Sequence, residues 1–124
     1  MRRVKVLSTV MLVLACTAWA RHDIRDYGAI ANDESYNAEL VNQEAFKRAL
    51  VAANSTSEKE DREVYVPTGL SFNLMPVWGN YLRDLTITID GTIKASKRHN
   101  YWPLKENKGW RHLFDFEFVT NLKI

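Results

Sequence analysis

The most restrictive feature of this chain is a strict alternation of apolar and polar residues that ends in a turn. Residues 85–89 read Leu-Thr-Ile-Thr-Ile, and Asp90-Gly91 follows directly. A period of two predicts a β-strand with one buried face. Asp-Gly between such runs favours a hairpin with residues 92–95. The alternative is a strand that bends at Asp90 and pairs only with distant parallel strands.

Other segments predict one helix followed by more strands. Apolar residues recur every four positions over about residues 40–54, a pattern typical of an amphipathic helix. A short strand is predicted at 22–27, and the pattern is β after residue 62. Residues 96–111 predict an irregular loop. Residues 82–87 and 119–124 share one pattern of apolar, polar, Asp or Asn, Leu, polar, Ile, which is expected where successive turns of chain stack.

Residues 1–20 predict a secretory signal peptide. Basic residues at positions 2, 3 and 5 precede a mostly apolar stretch, and Ala18-Trp19-Ala20 offers a small-x-small exit. We therefore expect cleavage between Ala20 and Arg21. The stretch is shorter than the about 20 residues that span a bilayer, so no membrane span is expected. The alternative is a lipid-anchor signal ending at Cys16.

Removing the signal peptide changes the chemistry of the chain. Lys and Arg fall from 17 to 14 against 15 acidic residues, a net charge near −1, so no nucleic-acid partner is expected. Cys16, the single cysteine, leaves as well, and residues 21–124 must be stabilised by burial rather than disulfides. Asn54 begins an Asn-Ser-Thr sequon, a candidate glycosylation site or an ordinary polar loop.

In order along the chain, four segments resemble the start of the polygalacturonase group of pectin-degrading glycoside hydrolases. They are Tyr27-Gly28-Ala29, the helix with Ala45-Phe46 and Ala49-Leu50, residues 64–69 (Val-Tyr-Val-Pro-Thr-Gly) and residues 85–93 (Leu-Thr-Ile-Thr-Ile-Asp-Gly-Thr-Ile). The last is the most specific. Residues 31–34, residues 41–43 and Met75 depart from the family pattern.

The resemblance implies an all-β fold, a fragment of a right-handed parallel β-helix of the pectin lyase-like kind. Residues 21–124 would form its N-terminal part, with a capping α-helix at about 40–54 and the first coils at about 64–124. It also favours the parallel interpretation of residues 85–89 over the hairpin. The polysaccharide partner would be pectin-like.

Family members carry the acid and base of hydrolysis in Asn-Thr-Asp and Asp-Asp motifs, with Gly-His-Gly nearby, and none of these occurs here. We therefore expect no catalytic residue in this chain. Asp115 and Glu117 lie two apart on a predicted strand, about 6.6–6.8 Å along the backbone. That approaches the spacing of about 6.5–9.5 Å in inverting glycosidases, but outward, solvated strand positions explain the pair better.

The remaining polar and aromatic residues give no substrate-binding assignment. His22, His99 and His112 lack metal-ligand spacing, so no metal or cofactor is expected. Tyr101, Trp102 and Trp110 are interpreted as loop anchors, with sugar stacking as the alternative. Lys94, Lys97 and Arg98 are interpreted as a solvated basic run, with contact to a uronate as the alternative.

Two functions of different classes remain open. The first is the N-terminal segment of a secreted polygalacturonase-like glycoside hydrolase acting on pectin-type polysaccharide, with its catalytic residues elsewhere. The second is a non-catalytic carbohydrate-binding or adhesion module, or a degenerate, truncated copy. The enzyme class is therefore left undecided by these residues.

Overall fold

The computed structural model describes residues 20–106 and 109–124. The predicted signal peptide lies outside the described residues except for Ala20, and so does Cys16 of the lipid-anchor alternative. The described part holds helix α1 (Tyr36–Asn54) and strands β1 (His22–Asp23), β2 (Glu63–Val66), β3 (Ser71–Leu74), β4 (Val77–Asn80), β5 (Arg83–Ile89), β6 (Thr92–Ala95), β7 (Leu104–Lys105), β8 (Gly109–Trp110), β9 (Phe114–Glu117) and β10 (Thr120–Lys123).

The strands form three small parallel sheets and one antiparallel pair. The largest sheet has the order β1-β2-β5-β10, and β3 pairs with β6 while β4 pairs with β9, all parallel. Among the strands of the described residues, only the short β7 and β8 pair antiparallel. Because β5 and β6 belong to different sheets, the hairpin interpretation of residues 85–95 is wrong.

The predicted all-β fold class, a fragment of a right-handed parallel β-helix, is also wrong. Helical residues make up 28% of the described chain and strands 36%, and the several small sheets do not close into a solenoid. The prediction treated the helix as a cap on a core built by strands. In the structure nine residues of α1 are buried, and four of them, Phe46, Ala49, Leu50 and Ala53, are part of the hydrophobic core that the strands share.

Helix α1 begins four residues earlier than its hydrophobic period predicts, because Ser35 caps it. The Ser35 hydroxyl accepts a hydrogen bond from the Ala38 N–H at 3.1 Å, which satisfies a donor that the first turn leaves unpaired. The helix then buries Phe46 and Leu50 against the strands. The cap extends the helix over residues 36–39, which precede the predicted helix.

The same face of α1 buries two amide side chains that bind backbone groups of neighbouring segments. Asn42 is fully buried, accepts from the Ile30 N–H at 2.7 Å and donates to the Ile30 and Asn73 carbonyls. Gln43 donates to the Pro76 carbonyl at 2.7 Å. Buried backbone groups outside a ladder need such partners, so these amides fix α1 against β3 and the loop before β4.

The repeated pattern of residues 82–87 and 119–124 forms two stacked turns. Asp84 and Asn121 both have a positive φ, +49° and +53°, and the Asn121 amide donates to the Asp84 carboxylate at 3.0 Å. Asx residues tolerate this conformation better than other non-glycine residues. Phe118, just before the second turn, is 66% exposed, and its ring stacks on that of Tyr81.

Two equivalent connections differ greatly in length. Met75 and Pro76 alone join β3 to β4, whereas residues 96–113 join β6 to β9. The long connection carries a 3₁₀ turn, His99–Tyr101, and the β7–β8 pair. It is therefore more ordered than the irregular loop that the sequence predicts.

The end of α1 is held to the sheet by one guanidinium. Arg62 donates from Nη1 to the Asn54 and Thr56 carbonyls and from Nη2 to the Asn54 side chain and the Arg83 carbonyl. Its Nε donates to the Asp84 carbonyl at 3.1 Å. All five N–H groups of the guanidinium are thus used.

We expect Arg62→Ala to lower the free energy of unfolding by about 3 kcal/mol, because hydrogen bonds to a charged group contribute about 1.5–3 kcal/mol and several are lost together. Arg62→Lys should restore only a minor part, since an ammonium cannot match the planar fork. Urea denaturation measures both. Arg48→Ala, on the exposed face of α1, is the control. Full stability in Arg62→Lys would contradict this account.

Gly91 sits where a side chain has no room. A Cβ at this position would lie 2.1 Å from the Pro67 carbonyl oxygen and 2.6 Å from that of Leu70. We expect Gly91→Ala to destabilise the fold by about 1–3 kcal/mol or more, because backbone must move to admit the methyl group. Gly79→Ala is the matched control, since its Cβ would meet only the Leu82 side chain at 3.4 Å. Equal unfolding midpoints for the two variants would refute the packing argument.

Candidate functional site: a mixed-charge groove beside the helix N-terminus

The acid pair singled out in the sequence is held by a lysine. Lys105 Nζ lies 3.2 Å from Asp115 Oδ1 and also contacts Glu117 Oε1. Arg111 approaches the second oxygen of Asp115 at 3.8 Å. The side chain of Asp115 is only 7% exposed, so it is not the solvated outward residue that the alternation predicts.

This arrangement suits a structural tie better than acid–base catalysis. The carboxylates hold the Lys105 ammonium between them, and their hydrogen bonds, that of Glu117 first, raise the pKa of Lys105 above its usual value. A general acid or base must reach the scissile oxygen or its water. Here the pair instead fastens the β7–β8 segment to β9, and we call these residues the Lys105 clamp.

The histidines do not come together. The two ring nitrogens of His22 lie 2.7 Å from the Tyr27 hydroxyl and 3.1 Å from the Thr56 hydroxyl. His99 is beside Trp102, and His112 is exposed. Within residues 20–106 and 109–124, no three His, Cys, Asp or Glu residues cluster closely enough to hold a metal ion.

Asn54 and Arg21 are both engaged in the fold. The Asn54 amide donates to the Tyr81 carbonyl at 3.2 Å, and its oxygen accepts from Arg62 and from the Arg83 N–H. An N-linked glycan replaces one of the two hydrogens of this nitrogen, and the remaining N–H is still a donor. Arg21, the predicted mature N-terminus, lies 3.4 Å from Glu63 and over the Tyr65 ring.

The aromatic residues of the long connection are divided between anchoring and exposure. Trp102 donates from its indole N–H to the Ser96 carbonyl at 3.1 Å, as expected for a loop anchor. Tyr101 stacks on Tyr36 with ring centroids 4.9 Å apart, although it is 61% exposed. Trp110 is 58% exposed.

The basic run of residues 94–98 faces a groove. One cavity of about 480 Å³ lies between the start of α1 and strands β3 and β6. A second of about 640 Å³ adjoins it. Both are lined by Glu34, Asn73 and Lys94. Asn73 and Lys94 are neighbours in the β3–β6 register, and both residues line the two cavities. We call the two cavities together, with Lys94, Lys97 and Arg98 along their wall, the basic groove.

An ion pair between the partly exposed Arg98 and the buried Glu39 forms one wall of the basic groove. The Glu39 carboxylate is 1% exposed and accepts hydrogen bonds at 2.9 Å from both Arg98 and the Ser96 hydroxyl. Arg98 donates also to the Glu34 carbonyl at 3.2 Å. Lys94 makes an exposed ion pair with Glu34 at 3.5 Å. A buried charge is tolerated when it is paired and hydrogen-bonded, which this geometry provides for Glu39.

Sequence reasoning identified the cations of the groove but not its other members. Glu39 lies on α1 and Asn73 on β3, and only the packing of the helix on the sheet brings them to Arg98 and Lys94. Their signal in the sequence was weak. A carboxylate within the first turn of a helix is common on electrostatic grounds alone, and an Asn inside a strand pattern gives no indication of a ligand.

Comparisons with known proteins add no relative: no family model, curated protein or solved structure matches the chain. In the part of the chain that the structure describes, no helix combines the length and apolar character needed to cross a membrane.

We expect Lys105→Met to lower the thermal unfolding midpoint at pH 8, because the variant keeps the aliphatic stem but loses the charge between Asp115 and Glu117. The folded-state pKa of Lys105 is raised, so its contribution is complete below its ordinary pKa of 10.5 and disappears as pH rises through the higher folded value. The difference between wild type and variant should therefore shrink above about pH 10.5.

Lys123→Met, which removes an exposed lysine from β10, is the control and should show a much smaller difference at every pH. A wild-type-to-Lys105→Met difference that persists unchanged to the alkaline limit would mean that the clamp acts through packing and not through charge.

Proposed function

We propose that this chain is the N-terminal segment of a secreted polygalacturonase-like glycoside hydrolase that acts on pectin-type polysaccharide. The observation that carries the proposal is the pairing of the most specific of the family-like segments with a second one. Residues 64–66 and 87–89 are parallel neighbours in register, and the N–H groups of Asp90 and Gly91 both donate to the Val66 carbonyl. The resemblance therefore falls on one structural unit and not on scattered positions.

The proposal places catalysis outside these 124 residues. The motifs that supply the acid and base in the family do not occur in the sequence. The nearest substitute, Asp115 with Glu117, is held by Lys105. Secretion is part of the proposal and rests on residues 1–20, whose order of charge, apolar run and small residues is typical of a signal peptide.

A second candidate is a non-catalytic carbohydrate-binding module. The observation in its favour is the basic groove, in which three cationic side chains, two glutamates and the Asn73 side chain line a cavity of about 480 Å³. This function needs binding of polysaccharide without hydrolysis. Both candidate functions involve a polysaccharide ligand. They differ in whether a longer coding sequence contains the catalytic motifs of the hydrolase family.

The first experiment measures hydrolysis. We expect the purified chain to release no reducing sugar from polygalacturonate, and a product extended through any downstream coding sequence with Asn-Thr-Asp, Asp-Asp and Gly-His-Gly to do so. Turnover by the 124-residue chain that is lost in Asp115→Asn and Glu117→Gln would make that pair catalytic and overturn the proposal. An extended product without those motifs, and without activity, would favour the binding module.

The second experiment measures export. Protein secreted by the native host should begin at Arg21 by N-terminal sequencing. A lipidated N-terminus at Cys16 would replace the signal-peptide assignment, and an intracellular protein that retains Met1 would refute secretion.

A further inference from the structure

The two residues that flank the expected cleavage bond are held by acidic side chains of the fold. The Ala20 N–H donates to Asp61 Oδ1 at 3.3 Å. Arg21 Nε lies 3.4 Å from Glu63 Oε1, and the guanidinium carbon lies 4.2 Å from the centre of the Tyr65 ring. The bond between Ala20 and Arg21 therefore lies between two carboxylates.

This arrangement follows from the pairing of β1 with β2. The parallel register pairs His22 with Val64, and the same register carried back by one residue places Arg21 beside Glu63. Asp61 ends the 3₁₀ turn that precedes β2. Both carboxylates thus come from the segment along which β1 runs, and their position depends on the sheet and not on a flexible loop.

The Glu63 carboxylate lacks one hydrogen bond. Its side chain is 6% exposed, and Oε2 accepts from the Thr88 hydroxyl. Oε1 accepts no hydrogen bond in the described part of the chain, although the Arg21 guanidinium is close to it. A buried acceptor without a hydrogen bond is unfavourable. Because Oε1 is closed to solvent, a further donor has to come from a residue that already contacts it, and Arg21 is such a residue.

The charge around this site is also suited to a cation. Residues 58–63 carry four carboxylates and two cationic side chains. One of the two cations, Arg62, is committed to the end of α1 and the start of β5. The segment beside Arg21 is therefore net negative, which attracts an additional positive charge.

Cleavage by a signal peptidase creates a positive charge at this position. One water is consumed, the C–N bond between Ala20 and Arg21 breaks, and a new C–O bond forms at the Ala20 carbonyl carbon. The proton of the new carboxylic acid passes to the amine, so Ala20 leaves as a carboxylate and Arg21 keeps an α-ammonium. Asp61 loses the Ala20 N–H and gains a neighbouring cation.

We propose that the Arg21 α-ammonium, formed by processing, binds the Asp61 and Glu63 carboxylates and fastens β1 to β2. Hydrogen bonds between charged partners are about twice as strong as those of a neutral N–H. β1 has only two residues and lies at the edge of its sheet, and chain termini fray unless they are tied down. The inference rests on the proposed function for cleavage at this bond and on the structure for the binding site.

Other charged groups of β1 and the turn after it are already engaged. Asp23 binds the Arg25 guanidinium at 2.8 Å. The two ring nitrogens of His22 contact hydroxyl groups at 2.7 and 3.1 Å. The guanidinium of Arg21 itself shares Glu63 with the α-ammonium, which a carboxylate with two oxygens permits.

The neighbouring elements add few competing charges. On the far side of β2, Glu63 is paired with Thr86 of β5, which is neutral. Lys123 of β10 pairs with Thr86 and is therefore one strand farther away. The charged groups of the turn before β2 are those of Glu58, Lys59, Glu60 and Asp61.

The test compares the mature secreted protein with the same protein acetylated at its α-amine. Near neutral pH the reagent prefers this amine, whose ordinary pKa is about 7.7–8.0, to lysines at about 10.4, and mass spectrometry verifies a single modification. We expect the free ammonium to raise the thermal unfolding midpoint by about 2–4 °C at about pH 6.5.

The pH dependence identifies the ammonium as the cause. Two carboxylates raise the pKa of a bound ammonium. Its contribution to stability is then complete below the ordinary value of about 7.7–8.0 and disappears as the pH rises through the folded-state value. The midpoints of the free and acetylated proteins should therefore converge in alkaline solution.

Three variants locate the contact, each measured in both forms so that any effect of the substitution on the fold itself cancels. Asp61→Asn and Glu63→Gln should each reduce the difference between the free and acetylated proteins by about half, since each removes one of two charged partners. Asp90→Asn, which follows the other end of β5, is the matched control and should leave the difference unchanged.

The outcomes separate this site from the proposed function. A protein that begins at Arg21 but has equal midpoints in the free and acetylated forms would overturn the inference and leave secretion standing. An equal difference in all three variants would place the ammonium away from Asp61 and Glu63 and would also overturn it. A secreted chain that begins at another residue, or a lipidated Cys16, would refute cleavage at this bond and the inference with it.

Discussion

The position of α1 on the sheets depends on side chains that satisfy backbone groups, and the guanidinium of Arg62 is the most heavily used. It binds carbonyls at the end of α1 and at the start of β5 together. Asn42 plays a similar part at the other end of the helix. Short parallel strands leave many carbonyls outside a ladder. These side chains therefore hold a core that strands of four residues cannot organise alone.

The elements that could be predicted are those whose signal is local. The alternation of residues 85–89 predicted β5, and its inward residues Leu85 and Ile87 are buried. The repeat at Asp84 and Asn121 predicted stacked turns for the same reason. The start of α1 was missed because a cap at Ser35 carries no hydrophobic period. The predicted all-β fold class was wrong because the sequence pattern does not show how many residues of the helix will be buried against the sheets.

The candidate site shows the same division. Lys94, Lys97 and Arg98 lie close together in the sequence, so the sequence pattern identified them as one basic run. The three cations differ in the residue that each one contacts. The partner of Arg98 is Glu39, which lies 59 positions away in the sequence and could not be identified from the local pattern. Burial of Asp115 likewise follows from a segment folding back over β9. Ion pairs between distant segments depend on packing, so the sequence pattern alone assigned Asp115 to the solvent.

The unequal connections between equivalent strands also bear on how this protein can diversify. Two residues suffice to join β3 to β4, so the scaffold does not require the 18 residues from 96 to 113 that join β6 to β9. That insertion carries Lys97 and Arg98 of the groove and the lysine of the clamp. Selection can change the length of this segment while the parallel ladders keep their register. Its Lys105 contact with Asp115 and its Ser96 and Arg98 contacts with Glu39 also stabilise the packed fold, so a change in the charge of the segment alters surface chemistry and stability together.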